Sequence, residues 1–216
     1  IRAVFERSDF WHLLFPEEPP VLDIEAFGIY GYFRAAMDEA AVRRESSHWL
    51  EKTPAHTVFL GDLLRAYPEA RFVAVQRDPV DAVRSNVHRS AYPHQLRRWV
   101  LAAIWGEVYR KIVSLYYADL LLVRYEALCA DFPREAARIY DHVGLNPEEV
   151  RESNWAPDST FTRHVPEVGL RFRWTVWLVG FLFRAVPARW CERGARVWMK
   201  RRRPLPPWFF RVFQGF

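Results

Sequence analysis

Three short segments carry the residue types that could do group-transfer chemistry on an anion. Glu51-Lys52-Thr53-Pro54-Ala55-His56 sets an ammonium beside a turn residue and a proline. Gln76-Arg77-Asp78-Pro79-Val80-Asp81-Ala82-Val83-Arg84-Ser85 sets a guanidinium eight residues before a hydroxyl. Val123-Arg124-Tyr125-Glu126-Ala127-Leu128 sets a tyrosine and a carboxylate directly after an apolar run. A guanidinium is a planar fork of donors that matches phosphate oxygens. A lysine is a compact charge suited to an oxygen on which negative charge develops. The chain has only three lysines, Lys52, Lys111 and Lys200, against 28 arginines. A lysine kept amid such a bias points attention to Lys52. Cys129 and Cys191 are the only cysteines and form neither a CxxC pair nor a disulfide framework, so no metal site is expected.

These segments need elements to hold them. His48–Glu51 reads as a short strand, followed by a helix with Thr53 as N-cap, Pro54 in its first turn and an end before Pro68. Arg71–Gln76 reads as a second strand. Asp78 then caps a helix opened by Pro79, with Asp81 as the acid of a capping box. A long helix spans residues 93–117. Leu120–Arg124 is a continuous apolar run expected to be buried on both faces of a sheet. Residues 133–143 form a helix closed by Gly144. Upstream, residues 1–5 could end a strand, and 8–15 and 23–43 read as helices. The alternation predicts an α/β domain with a mostly parallel sheet flanked by helices. In such sheets ligands bind where strands give way to helices. Asp78, Asp81 and Ser85 share one helix face, and an anion between Arg77 and that face is geometrically possible.

Taken together, EKTPAH, YPEARFVAVQRDPVDAVRS and LLLVRYEAL resemble the sulfotransferases that use 3′-phosphoadenosine-5′-phosphosulfate (PAPS). The likeness covers roughly residues 1–165 and is nearest to the tyrosylprotein, heparan-type and bacterial branches. It implies a P-loop-like nucleotide-hydrolase fold. It also implies that Arg77 and Ser85 bind the 3′-phosphate of PAPS, that Tyr125 lies near the nucleotide, and that Lys52 reaches the transferring sulfuryl group. Glu6 stands where relatives carry the general base, with His12 and His56 as alternatives. Ser159, Thr160 and Arg163 stand where relatives add late nucleotide contacts. PAPS is then the co-substrate, no metal is required, and the acceptor could be carbohydrate, lipid, peptide or small molecule. Read as residues alone, Lys52 could be a solvated lysine, Arg77 a partner of Asp78 or Asp81, Ser85 a helix-surface serine and Tyr125 a core tyrosine.

The family's phosphosulfate loop, a Ser-Gly-Thr-type turn, is not found in this sequence. It is expected ahead of Ile1, so the chain reads as a fragment that would be inactive alone. A rival reading is a membrane-associated nucleotide-binding protein with a degenerate site and no catalysis.

Charge divides the chain in two. Residues 171–216 hold 11 Lys and Arg against one acid, Glu192, while the rest carries 20 basic and 25 acidic groups. Half the residues are apolar, which excludes a disordered protein. An acidic body does not suggest a nucleic-acid partner, and none is expected for residues 1–170, the expected sulfotransferase domain. Residues 171–216 are expected to form a helical, basic, aromatic extension. Its WTVWLVGFLF run falls short of the ~20 residues that span a bilayer. It reads either as an interfacial helix on an anionic membrane surface or as a subdomain packed on the body. No signal-peptide pattern is visible, so the expected location is cytoplasmic, with peripheral membrane contact.

Overall fold

The computed structural model describes residues 14–17, 20, 22, 24–88, 96–149 and 170–200. The chain forms two compact units, Ile1–Lys52 and Thr53–Phe216.

The first unit is built on helix α1, Ile24–Arg43. Tyr32, Ala36 and Ala40 recur every four residues, so they share one face, and they are buried with Phe15. Arg43 lies over the Phe15 ring at 5.2 Å, and Arg44 donates to the Leu14 carbonyl at 3.0 Å. The helix expected to run unbroken is kinked at Gly28, where φ is 63° and ψ is −178°. Only glycine adopts that backbone without strain.

His48–Glu51 is not a strand. Trp49 instead donates its indole N–H to Asp38 at 2.7 Å and meets Phe33 edge-on at 6.1 Å. Those contacts hold the segment against α1 and leave it irregular.

The second unit opens with a 3-10 turn, Pro54–Phe59, that runs into the short helix α2, Leu60–Ala66. Thr53 makes no side-chain cap, contrary to expectation. Its carbonyl accepts from the His56 N–H at 2.9 Å. Strand β1 is Val73–Gln76, followed by α3, Pro79–His88, and α4, Leu96–Ser114. Strand β2, Leu121–Arg124, passes directly into α5, Tyr125–Ala130, and then α6, Phe132–Val143. Two helices complete it, α7, Leu170–Arg184, and α8, Ala188–Lys200.

The expected sheet is therefore small: among the described residues it is one parallel pair, with Val73 opposite Leu121 and Gln76 opposite Arg124. The architecture is helix-rich α/β. Strand β2 is not buried on both faces along its length either: Leu121 and Leu122 are half-buried and Arg124 is exposed. Val123 is fully buried, whereas Val75 is 57% exposed.

Helix α4 is the spine of this unit. Ala103 packs with Val83 of α3 and with Phe172, Val176 and Val179 of α7. Val108 and Ile112 pack with Val58, Cys191 and Ala195. Val113 packs with Leu60 and Leu120 under the strand pair. Each fully buried aliphatic or aromatic side chain contributes about 1.5–3 kcal/mol, so α4 gathers most of the apolar driving force. Two polar ties finish the frame. His142 Nε2 donates to the Phe72 carbonyl at 3.0 Å. Gly144 closes α6 at a left-handed φ of 78°, as its sequence position predicts.

Candidate functional site

Two strand ends set the site. Because Gln76 pairs with Arg124, the next residues, Arg77 and Tyr125, emerge at the same level of the sheet. Each strand then turns at once into a helix, α3 or α5. The Arg77 guanidinium lies over the Tyr125 ring, 4.6 Å from its centroid. That cation–π contact orients the fork without using up its N–H donors.

Asp78 fixes the start of α3. Its Oδ1 accepts from the N–H groups of Val80 at 2.9 Å and Asp81 at 3.1 Å. The expected capping box is not closed by Asp81. The N–H of Asp78 donates instead to Glu126 Oε1 at 2.6 Å, a residue of the other junction. One carboxylate thus ties both strand-to-helix turns together.

An open cleft of about 350 Å³ lies between these turns, lined by Arg77, Asp81, Tyr125, Glu126, Cys129 and Ala130. Its charge is mixed. Two further arginines offset the carboxylates: Arg84 is 4.0 Å from Asp81, and Arg124 is 3.9 Å from Glu126. Arg77 is then the cation that faces the cleft on the side of the aromatic ring. Of the three buried side-chain polar atoms without a hydrogen-bond partner among the described residues, two, Gln76 Nε2 and Glu126 Oε2, belong to these two junctions. Such an atom costs about 1–3 kcal/mol until something polar reaches it. A polar ligand in or beside this cleft would recover that cost.

Arg77 and Tyr125 are therefore brought together. Ser85 lies one turn beyond Asp81 on α3, is only 8% exposed and is not part of the cleft lining. Lys52 is exposed and ends the first unit, while Arg77, Ser85 and Tyr125 belong to the second. His56 is half-buried in the 3-10 turn. Glu6, His12, Ser159, Thr160 and Arg163 lie outside the described residues.

Two contributors to the cleft are given no role by the sequence alone. Glu126 was visible only as a neighbour of Tyr125, and its bridge to Asp78 spans 48 positions. Cys129 is four residues beyond Tyr125, which puts both on one face once α5 is recognised as a helix. That short helix follows a strand with no turn residue to announce it. Among the described residues no group of three His, Cys, Asp or Glu is placed to hold a metal ion.

The sequence matches the model of the Sulfotransferase family over residues 15–149. Two mycobacterial proteins are similar to part of it: the omega-hydroxy-beta-dihydromenaquinone-9 sulfotransferases of Mycobacterium bovis and Mycobacterium tuberculosis. Each is 28% identical over 112 residues, which covers 45% of this chain and 29% of the relative. The chain thus spans under a third of the length of these curated relatives. No solved structure matches it.

Proposed function

The chain belongs to the sulfotransferase family, and from that premise we propose that it carries the donor-nucleotide part of an enzyme that uses PAPS. In this reading the sulfuryl group passes to an acceptor hydroxyl or amine by in-line displacement. The acceptor oxygen or nitrogen attacks sulfur as the bond from sulfur to the bridging phosphate oxygen breaks. The electron pair leaves on that oxygen, and the acceptor proton goes to a general base. The parallel pair with two strand-to-helix turns is read as part of a P-loop-like α/β fold.

Arg77 takes the 3′-phosphate, and Ser85, on the same face of α3 as Asp81, adds its hydroxyl. Tyr125 flanks the nucleotide and holds the Arg77 fork in place. Lys52 neutralises charge on the departing oxygen. Such charge stabilisation is worth most when the group is set in place beforehand. Glu6 is the proposed base, with His12 and His56 as alternatives. No metal enters this scheme, because cationic side chains do the neutralising. The relatives are named for a hydroxylated dihydromenaquinone, which favours an alcohol as the acceptor here.

The observation that carries the reading is Arg77 stacked on Tyr125 in one cleft at the end of a parallel strand pair. Titration calorimetry with adenosine 3′,5′-bisphosphate tests it. Arg77→Ala should weaken binding by about tenfold or more, since a charge-assisted hydrogen bond is worth about 1.5–3 kcal/mol. Equal affinity of variant and parent would remove Arg77 from the nucleotide site.

A further inference from the structure

Helix α7 is apolar on two opposite sides. Phe172, Val176 and Val179 are buried against α4 and α3, and Trp99 meets Phe172 edge-on at 3.9 Å. Leu170, Trp174, Trp177 and Phe181 recur at four-, three- and four-residue steps on the far side, with Leu178 beside them. All five are exposed, from 50% for Leu178 to 77% for Leu170. The aromatic members are already ordered: Trp174 meets Trp177 edge-on at 5.4 Å, and Trp177 stacks on Phe181 at 5.5 Å. A contiguous exposed apolar face of this kind marks a surface that something covers.

The charges beside this face say what covers it. At about 100° per residue, Arg171 and Arg173 fall on opposite borders of the outer face, and both are exposed. Residues 170–200 hold seven Arg and Lys against one acid, Glu192. That acid is turned inward, accepting from Tyr116 at 2.9 Å and Arg196 at 2.8 Å. A second copy of this face would bring arginine against arginine, with no outward carboxylate in residues 170–200 to answer it. An anionic lipid surface answers it everywhere. Cations at the rim and tryptophan in the middle are the pattern of a helix lying in a headgroup layer. No helix among the described residues is long and apolar enough to cross a membrane.

We propose that the Trp174-Trp177-Phe181 face of α7 docks flat onto an anionic bilayer, with Arg171 and Arg173 reaching phosphate headgroups on either side. The sequence left interfacial contact and packing on the body as alternatives, and α7 has a separate face for each. The proposal does not rest on the catalytic assignment.

Flotation of the full chain with vesicles tests it, comparing phosphatidylcholine alone with phosphatidylcholine containing phosphatidylglycerol. The chain should float with the anionic vesicles and lose that binding at high salt. W177S/F181S should weaken binding by about tenfold or more, from the apolar area no longer buried. R171Q/R173Q should weaken it roughly fivefold per charge. All four side chains are exposed, so circular dichroism should report an unchanged fold. Equal flotation with neutral vesicles, or parent-like binding by both double variants, would overturn the proposal. So would a parent dimer that W177S/F181S converts to monomer without any vesicle binding, because a second copy would then be the cover.

Discussion

Arg77 and Tyr125 illustrate how little a single residue needs from the rest of the chain. A guanidinium over a phenol ring keeps its outward N–H donors for an anion, and both positions follow from one strand register. Cys129, in the lining of the same cleft, offers a reporter. Maleimide labelling of Cys129 should slow when adenosine 3′,5′-bisphosphate is added, and undiminished labelling would place the nucleotide elsewhere. Cys191 should label far more slowly than Cys129. It is 6% exposed, and burial pushes its thiol up from the usual range, with Glu107 adding to the effect and Lys111 opposing it. Less thiolate at neutral pH means slower alkylation. Mass spectrometry of the two tryptic peptides reads both outcomes. For Lys52 the expected outcome is kinetic. If the proposed enzyme reading holds, Lys52→Ala should lower the single-turnover rate by about 100-fold while nucleotide affinity stays nearly level. Matching rates would remove Lys52 from the reaction.

At the scale of elements, the site is a clasp between two helix starts. Asp78 caps α3 from within, while Glu126 of α5 takes the N–H that the cap leaves over. Asp78→Ala should cost about 1 kcal/mol of stability, the usual worth of an N-cap. A lower urea midpoint with an unchanged slope would be the sign. An unchanged midpoint would mean that water replaces the cap without loss. Helix α8 is tied down by a different device. Arg196 reaches Asp62 of α2 at 2.7 Å and Glu192 at 2.8 Å, and Glu192 accepts from Tyr116. Burial works against the Arg196 charge, but the Asp62 and Glu192 carboxylates outweigh it and hold the guanidinium protonated. The network joins the chain's last described helix to an early one, 134 residues apart.

Across the whole molecule, buried groups that ionise at high pH set a limit on stability. Burial raises the phenol of Tyr109, the phenol of Tyr116 and the thiol of Cys191, with a hydrogen bond to Glu192 adding at Tyr116. Each group therefore keeps its proton longer in the folded chain than in the unfolded one. Their contribution is complete below the ordinary values, 9.0 for the thiol and 10.0 for the phenols, and is lost as pH rises through the elevated ones. Urea midpoints should stay level to about pH 8 and fall above about pH 9. Tyr109→Phe should flatten part of that fall. A profile level to strong alkali would show that these groups titrate alike in both states.

Much of this chain was legible from local chemistry. Pro79 after Asp78 announces a helix start, Gly144 a helix end, and the apolar runs before Arg77 and Tyr125 two strands, all of which form close to where the spacing puts them. The same residues carried the family, which the match over residues 15–149 supports. These signals act over a few bonds, so the sequence suffices for them. What it could not supply is which partner each polar group finds. The indole of Trp49 chose Asp38 over a strand, Asp78 shares its backbone N–H with Glu126 and not Asp81, and α5 begins where only a strand end was visible. Those outcomes depend on contacts 11 to 48 positions apart. Such pairings are decided by which surfaces α4 and the strand register bring face to face, a property of the packed chain and of no single segment.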